Sequence, residues 1–484
     1  MLINLDFLKA GSNWPPDSER KRLKTYKANR QLFEDEHGQV YAEQLKRIER
    51  VIGDFSQVVS FATILNYQKL MSLKIADLIF GEPPKFTAAK ENQQKVIDSI
   101  LSDTGLLDTA WLAAIDVSRY GDGLLLLGNR NHSPVVEATS PAYWFPVVDP
   151  GSIKQIKYHV FGWQYPVDPD GEAWELRVQI HNPEDYQSCE QHTYRLNGTA
   201  GDWSIGAEIT SEQERMVETQ LPVCPVFRVS NVVTSDRVYG IDDYQSIDSI
   251  VSELIVRVSQ VSRVLDKHAN PSMTGPESAL ESDPNTGEWR FRVGDYYPRH
   301  SSDEPALEYV TWDASMDANF KQIDFLINQL YTISEMGSAI FGDLSNKTGE
   351  VPSGSALRRL MMSPLAKARR VANKFDGPLK ALVSACASIR GENIPPEEIS
   401  IKWNDGLPDD EVEMANIMAV RTNGKATISQ HTAIQRLDGL GDKDAAAELD
   451  EIRADDAEKD MGSPPPEEIP QEEEPDPAFK DEET

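Results

Sequence analysis

The chain has 484 residues with 48 basic and 79 acidic side chains, so its formal net charge is -31, and 39% of its residues are apolar. That length suffices for more than one domain, and the negative balance disfavours a protein that grips nucleic acid over a broad face. Three cysteines far apart in sequence, Cys189, Cys224 and Cys386, favour neither a disulfide framework nor a cysteine zinc site.

Hydropathy gives no sign of a membrane protein. No stretch of the sequence approaches the ~20 apolar residues that a membrane-spanning helix requires. Residues 1–9 also lack the basic start, apolar run and cleavage site of a secretory signal. We therefore expect a protein that has no membrane segment and stays in the compartment where it is made.

The N-terminal region is predicted to be helical. Basic side chains cluster there, at positions 20, 21, 22, 24, 27 and 30. Because Tyr26 is the one aromatic residue among them, a solvated helix face is favoured over a nucleic-acid patch. Apolar residues recur at helical spacing from Asn66 to Phe80, and Gly81 ends that helix. Two more helices are predicted over residues 90–102 and 106–119.

The spacing of apolar residues changes from helical to alternating after residue 120, which predicts an antiparallel β region. Turn clusters such as Asn197-Gly198 separate some of its strands. The predicted strands are Gly123–Gly128, Trp144–Val148, Gln155–Tyr165, Trp174–His181 and His192–Leu196.

Two long helices with one apolar stripe each are predicted after the β region. The first covers Ile247–His268 and follows Asp242-Asp243, whose side chains can cap its free amides. The second covers Phe320–Ile333. A small β module is predicted between them, with strands at Glu288–Val293 and Leu307–Trp312. Because each stripe is narrow, we expect these helices to pack against each other or against further copies of the chain.

A third helix is predicted to begin at Gly354, after a polar loop bounded by Gly342 and Gly354. Pro364 removes one hydrogen bond from its ladder, so we expect a kink. Its cations stand out in so acidic a chain. They are Arg358, Arg359, Lys367, Arg369, Arg370 and Lys374.

The C-terminal segment 441–484 holds 18 acidic against 4 basic side chains, and it contains Pro464–Pro466. With so little apolar surface to bury, the segment after about Ala457 is predicted to be a disordered, solvated tail.

Motifs for catalysis or cofactor binding are missing from the sequence. Asn423–Thr427 lacks the upstream glycine of a phosphate-binding loop and the hydroxyl beside its lysine. The eight histidines show no metal-binding spacing. Gly121-Asp122-Gly123 precedes a strand, so it indicates a turn and not a dinucleotide loop. We expect no catalytic residue, no cofactor, no metal and no enzymatic activity.

Four segments resemble the portal protein family of long-tailed, double-stranded DNA phages, in particular the SPP1-like portals. Ile79–Pro84 is similar to the helix end of that family, and Tyr239–Tyr244 to the segment before its first stem helix. Ser353–Leu357 followed by Pro364-Leu365 and Lys367 is the sharpest similarity. Asn423–Leu437 resembles a C-terminal helical turn. The order and spacing of these segments carry the resemblance over roughly residues 60–440.

The resemblance implies an α+β portal fold. Its domains would be a helical and β wing (1–242), a first stem helix (243–270), a small β clip (271–315), a second stem helix (316–341), a tunnel loop (342–353), a kinked channel helix (354–391), a last wing strand with a helical crown (392–440) and an acidic, largely disordered tail (441–484).

The function implied is a homo-oligomeric ring, usually a dodecamer, at one capsid vertex of the virion, present in the host cytoplasm before assembly. Double-stranded DNA would pass through it without sequence recognition during packaging and ejection. Its partners would be the terminase large subunit as ATPase motor, a head-completion or adaptor protein to which the tail attaches, and the major capsid and scaffolding proteins.

Residue roles are expectations of the same resemblance. The channel residues would be Ser345, Asn346, Lys347, Thr348, Arg358 and Arg359, and the clip residues that meet a partner would be Arg290, Arg292 and Arg299. Salt bridges between neighbouring clips, or between channel cations and neighbouring subunits, are the competing interpretations. A cytosolic α+β hydrolase with an unrecognised site is the alternative function, and a phage adaptor or head-morphogenesis protein is a third.

Overall fold

A computed structural model describes residues 1–52, 62–168, 172–199, 201–269, 273–274, 280–282, 289–291, 308–309, 317–342, 354–404, 411–423 and 426–462. The chain divides into two compact units, Met1–Gly406 and Leu407–Thr484. The fold is α+β with antiparallel sheets, which confirms the predicted class.

The helices are numbered in chain order. They are α1 (Asp17–Phe33), α2 (His37–Val40), α3 (Ala42–Ile52), α4 (Tyr67–Phe80), α5 (Glu91–Thr104), α6 (Leu106–Tyr120), α7 (Asp248–Ala269), α8 (Asp317–Ile333), α9 (Gly354–Leu360), α10 (Met362–Ile389), α11 (Glu411–Thr422), α12 (Gln430–Leu437) and α13 (Asp442–Gly462).

The strands are numbered likewise. They are β1 (Asn13–Trp14), β2 (Lys85–Ala88), β3 (Asp122–Arg130), β4 (Ser133–Thr139), β5 (Trp144–Asp149), β6 (Ser152–Pro166), β7 (Trp174–His181), β8 (Ser188–Thr199), β9 (Asp202–Glu208), β10 (Met216–Glu218), β11 (Val226–Ser230), β12 (Met273–Thr274), β13 (Leu280–Ser282), β14 (Trp289–Phe291), β15 (Glu308–Tyr309) and β16 (Ile399–Lys402).

A seven-stranded antiparallel sheet forms the largest β layer, in the order β1-β9-β8-β7-β6-β5 with β10 paired to β8. Alternate side chains of its strands point to one face and build a core. That core includes Trp14, Phe145, Leu176, Val178 and Trp203, none of them more than 5% exposed. The predicted strands of this region all exist, because alternation is a direct signal of a half-buried strand.

A three-stranded sheet in the order β11-β3-β4 lies under α6. The strands β4 and β9 were missing from the prediction. The sequence of β4, Ser133–Thr139, begins Ser-Pro, and that of β9, Asp202–Glu208, contains Gly206, so both read as turn segments. Pairing with β3 and β8 overrides that local preference.

Residues at the two ends of α4 determine where this helix begins and ends. The Asn66 side chain caps it by accepting a hydrogen bond of 2.8 Å from the Lys69 N–H. The helix ends at Gly81, as predicted. Its last residue, Phe80, packs edge-on against Phe375 of α10 and Trp403, with ring centroids 5.1 and 5.7 Å apart. These contacts join α4 to α10.

The long helices α7 and α8 pack against each other, as their stripes predicted. The stripe of α7 is buried at Val251, Leu254 and Ile255, and Ile247 just before the helix continues it; all four are 0% exposed. The predicted cap is different from the observed one. The Asp242 carboxylate accepts a hydrogen bond of 2.8 Å from the Gln245 N–H, which belongs to the 3-10 turn Tyr244–Ser246 before α7 and not to α7 itself.

The region between α7 and α8 is described only at four short strands. They pair antiparallel as β12 with β15 and β13 with β14. The predicted strands Glu288–Val293 and Leu307–Trp312 each contain one of them. The other residues of both predictions lie outside the part of the chain that the structure describes.

The predicted kink near Pro364 takes the form of a break between α9 and α10 at Met361, where φ is -86° and ψ is 3°. Pro364 therefore lies in the first turn of α10, where its missing N–H leaves no ladder bond unmade. A second proline, Pro378, lies inside α10, and the helix continues past it.

The unit Leu407–Thr484 is helical over α11, α12 and α13 in its described part. The expectation that residues 441–484 are largely disordered is wrong for Asp442–Gly462, which is one helix. Its alanines, together with Leu449 and three glutamates, give this stretch helix propensity in spite of its charge. Residues 463–484 lie outside the described chain.

Candidate functional site

A cluster of buried polar groups connects the three-stranded sheet, the long helices α7 and α8 and the helix α10. We call it the joint and define it as Asp122, Asn231, Gly240, Asp243, Ser334 and Lys367. All of these side chains or backbone groups lie within the unit Met1–Gly406. The segment Tyr239–Tyr244, singled out above for its resemblance to the portal family, runs through the middle of the joint.

Asp122 of β3 is the acceptor on one side of the joint, and its side chain is 0% exposed. It accepts hydrogen bonds from Arg228 Nε at 2.9 Å, Ser230 Oγ at 2.6 Å and the Gly240 N–H at 2.9 Å. Three donors offset the desolvation of one buried carboxylate. Asp122 thereby ties the strand β11 and the segment before α7 to β3.

Gly121 and Gly240 allow two backbones to touch at this point. A Cβ atom at Gly240 would overlap the carbonyl oxygen of Gly121. Gly121 also has a φ of +86°, the left-handed region that glycine adopts without strain. The turn after α6, interpreted above as a simple turn, is therefore one wall of the joint.

Lys367 of α10 is the cation of the joint and is only 4% exposed. Its Nζ lies 3.0 Å from Asp243 Oδ1 and donates a hydrogen bond of 2.9 Å to the Ser334 carbonyl oxygen. Asp243 lies just before α7, and Ser334 lies just after α8. One ammonium group thus contacts the start of one long helix and the end of the other.

A neighbouring network of hydroxyl groups is buried between α4, α6 and the start of α7. Ser72 Oγ donates to Ser118 Oγ at 3.0 Å and lies 2.9 Å from the Tyr244 hydroxyl oxygen. Burial raises the pKa of Tyr244 well above its usual value, so the hydroxyl stays neutral. Tyr244, the last residue of the Tyr239–Tyr244 segment, therefore has a structural role.

One basic residue of α1, Arg22, differs from the prediction of a solvated helix face, whereas Lys21, Lys24, Lys27 and Arg30 are exposed as predicted. The Arg22 side chain is only 10% exposed, pairs with Glu19 at 2.7 Å and donates to the carbonyl oxygens of Pro141 and Trp144 at 3.0 Å. Its guanidinium also lies 4.4 Å from the ring centroid of Tyr239. Composition alone could not distinguish Arg22 from its exposed neighbours, because only the partners from distant segments set it apart.

The predicted channel cations divide into two groups. Lys367 is buried, and Arg370 pairs with Glu335 of the same subunit at 2.6 Å. At both positions a carboxylate of the same chain is the partner, whereas the competing interpretation stated above placed the partners on neighbouring subunits. Arg359, Arg369 and Lys374 are exposed and have no ion pair with any residue that the structure describes. Arg358 is exposed as well and makes interactions of its own.

A groove of about 480 Å³ lies beside this cationic surface. Arg358 and Arg369 line it together with Met362, which is 71% exposed, and Trp403. The groove shows that the exposed face of α9 and α10 is both basic and partly apolar.

The remaining predicted site residues fall largely outside the described chain. Ser345, Asn346, Lys347 and Thr348, predicted above for a tunnel loop, lie there, as do Arg292 and Arg299. Arg290 belongs to β14, opposite Glu281 in the pairing with β13. The described residues contain no group of three or more His, Cys, Asp or Glu side chains able to hold a metal ion, and no described helix is long and apolar enough to span a membrane.

Comparison with protein families gives a match to the phage portal proteins, SPP1 Gp6-like, over residues 62–461. That range includes the joint and the helices α4 to α12. The chain belongs to this portal protein family. It is accordingly a structural component of a phage virion and not an enzyme, which removes the hydrolase alternative.

Solved structures similar to this portal protein come from gene transfer agent particles. One is titled as the neck of an empty particle computed with C6 symmetry, with 13% identity, a TM-score of 0.45 and coverage of 78% of this chain and 90% of that chain. A second is the neck of a native particle computed with C12 symmetry, at 11% identity, TM-score 0.38 and coverage of 77% and 90%. A search of curated proteins found no match.

Proposed function

We propose that this portal protein forms a closed ring, with twelve subunits as the expected number, at one vertex of a phage capsid. Double-stranded DNA passes through the ring during packaging and ejection. Membership of the portal family over residues 62–461 is the observation that carries the proposal.

The exposed apolar surface of α8 supports a ring. Phe320, Phe325 and Ile333 are 48%, 60% and 45% exposed, although α8 already packs against α7. Large apolar side chains left in water favour association with further copies. Repeated contacts between two different faces of identical subunits close into a ring when the rotation between subunits permits it.

The charge of the chain supports a conduit that does not trap DNA. A chain with a formal charge of -31 repels phosphates over most of its surface. The exposed cations Arg359, Arg369 and Lys374 and the loop residue Lys347 would each contact phosphates weakly and without reading bases. Contacts of that kind are lost and regained at small cost as the duplex moves.

The partners follow from the same proposal. A phage terminase would supply ATP hydrolysis as the packaging motor, and major capsid and scaffolding proteins would surround the ring. The clip residues Arg290, Arg292 and Arg299 would meet the terminase or a head-completion protein outside the capsid. Reversing the charge of Arg290 and Arg292 is then expected to spare the ring and stop packaging.

Electron microscopy of the purified protein tests the ring directly, since axial views would show a central hole. Native mass spectrometry that finds only monomer over a wide concentration range would contradict the proposal.

Deletion of Ser345–Gly349 tests the passage of DNA through the ring. Rings should form, whereas packaged DNA should be lost. Lys347→Ala should act in the same direction more mildly. Normal packaging by the deletion variant would show that this loop has no part in DNA passage.

A further inference from the structure

Lys367 holds an unusual position, because it is a buried cation in a helix whose other cations are exposed or half-exposed. Its ion pair with Asp243 and its hydrogen bond to the Ser334 carbonyl oxygen leave its side chain only 5% exposed. Desolvating an ammonium group costs several kcal/mol unless its partners are well placed. The position therefore calls for an explanation beyond packing.

Both partners of Lys367 are themselves fixed. The Asp243 N–H donates to the Ser118 carbonyl oxygen at 2.9 Å, and its carboxylate accepts a hydrogen bond of 3.1 Å from Asn231 Nδ2. Ser334 is 2% exposed, and its N–H donates to the Leu330 carbonyl oxygen at 3.0 Å. Lys367 is thus the point where α10 is attached to a frame made by α6, β11 and both long helices.

We propose that Lys367 is a positioning residue that fixes the cationic face of α10 relative to α7 and α8 while DNA passes through the ring. This inference rests on the proposed function, since it assigns a role in DNA passage. A buried ion pair often stabilises a fold no more than an apolar pair of similar size does. Its advantage is directional, because the ammonium must stay within hydrogen-bonding distance of two particular oxygen atoms, whereas apolar side chains can slide past each other.

Two variants distinguish an effect on the position of α10 from an effect on the stability of the fold. Lys367→Met combined with Asp243→Asn removes both charges at once, so that no buried charge is left without a partner. The amide oxygen of an asparagine at 243 can still accept the hydrogen bond from Asn231. Lys367→Arg keeps the charge but presents a planar fork in place of a compact ammonium. Arg370→Gln is the matched control, because its ion pair with Glu335 is exposed and of little energetic consequence.

The position of α10 can be measured without DNA. Spin labels at Asn373→Cys on the exposed face of α10 and at Asn328→Cys on α8 report their separation by pulsed electron resonance. Cys224→Ser removes the half-buried native thiol, while Cys189 and Cys386 are buried. Labelled subunits are diluted into unlabelled protein, so that each distance arises within one subunit.

We expect a narrow distance distribution for the parent protein and for Arg370→Gln, a shifted mean for Lys367→Arg and a broad distribution for the double variant. A double-variant distribution as narrow as that of the parent would overturn the inference.

DNA packaging provides the functional readout. The double variant should form rings with an unchanged melting temperature yet lose packaged DNA, whereas Arg370→Gln should package normally. If the double variant keeps its melting temperature and also packages DNA normally, Lys367 has only a structural role and the inference is wrong. A parent protein whose rings package no DNA would contradict the proposed function instead, and the distance measurement would still decide whether Lys367 fixes α10.

Discussion

The seven-stranded sheet and the joint are held together by different kinds of interaction. In the sheet, apolar side chains such as Phe145 and Leu176 are buried along strands that are close in sequence. In the joint, a few charged and polar groups from residues 122 to 367 make specific contacts. Apolar contacts are individually weak, numerous and tolerant of small displacements, whereas charged contacts are few and fix geometry.

This difference indicates that the sheet tolerates substitutions, whereas the joint determines how the helices and strands it connects are placed. The core of the sheet tolerates exchanges between apolar side chains of similar volume at small cost. The joint does not tolerate the removal of one charged partner, because the other charge remains buried. We therefore expect substitutions at buried charged or titratable groups to have the largest effects on stability.

The largest effect is expected from Asp122→Ala. The substitution leaves the Arg228 guanidinium, which is 18% exposed, without its carboxylate, and it also deprives Ser230 and the Gly240 N–H of an acceptor. We expect the free energy of unfolding to fall by about 4 kcal/mol, as for other buried pairs that lose one member. Urea unfolding followed by tryptophan fluorescence measures it.

The control for Asp122→Ala is Glu137→Ala in the same three-stranded sheet. Glu137 is exposed, and its oxygen lies 3.8 Å from an exposed Arg130 nitrogen. Such pairs contribute little, so its removal should barely change unfolding. Equal losses in the two variants would mean that the joint has no special dependence on buried charge.

A smaller loss of stability is expected when the pH is lowered, and it comes from two buried histidines of the sheet. Burial lowers the pKa of His181 to about 4 and that of His159 to about 3, from an ordinary value of 6.5. The unfolded chain binds these protons at a higher pH than the folded sheet does. Stability is therefore complete above pH 6.5 and is lost as the pH falls, by about 2–3 kcal/mol for His181 alone at pH 4.

The variant His181→Leu isolates that contribution. Its unfolding free energy should depend less on pH between 7 and 4 than that of the parent protein, and chemical denaturation at a series of pH values measures the difference. Parallel pH profiles for the two proteins would show that His181 is not a source of acid sensitivity.

The smallest effect, and one of opposite sign, is expected for Asp248→Asn at the start of α7. Burial raises the pKa of Asp248 to about 6, although Gln68 and Tyr41 donate hydrogen bonds to its carboxylate. Since the folded state binds this proton more tightly, the stability linked to it is present below pH 3.8 and lost as the pH rises through 6. The amide should therefore stabilise the protein by about 1 kcal/mol at pH 7.

The gain from Asp248→Asn should largely disappear at pH 3.5, below the ordinary pKa of 3.8, where the carboxyl group is mostly protonated in both states. Thermal unfolding at the two pH values distinguishes this outcome. A gain of equal size at both would point to a cause other than ionisation.

Sequence patterns predicted the sheet far better than the joint. Alternation located β5, β6 and β7, and stripes at helical spacing located α4, α7 and α8, because both signals lie within one segment. Lys367 and Arg22 looked like other surface cations, since their burial depends on partners from distant segments. The resemblance to portal proteins drew attention to Tyr239–Tyr244 and Lys367 but did not reveal that they meet through Asp243.

The contact between the Gly121 and Gly240 backbones has a consequence for how such a protein can diverge. Side chains around the joint can be exchanged in compensating pairs, but no exchange can compensate a Cβ atom at Gly240, because the obstacle there is main chain. In a saturation mutagenesis experiment, both positions should accept only glycine. Adaptation to new partners or capsids must then take place elsewhere, and these two residues form a fixed point around which the rest of the sequence can vary.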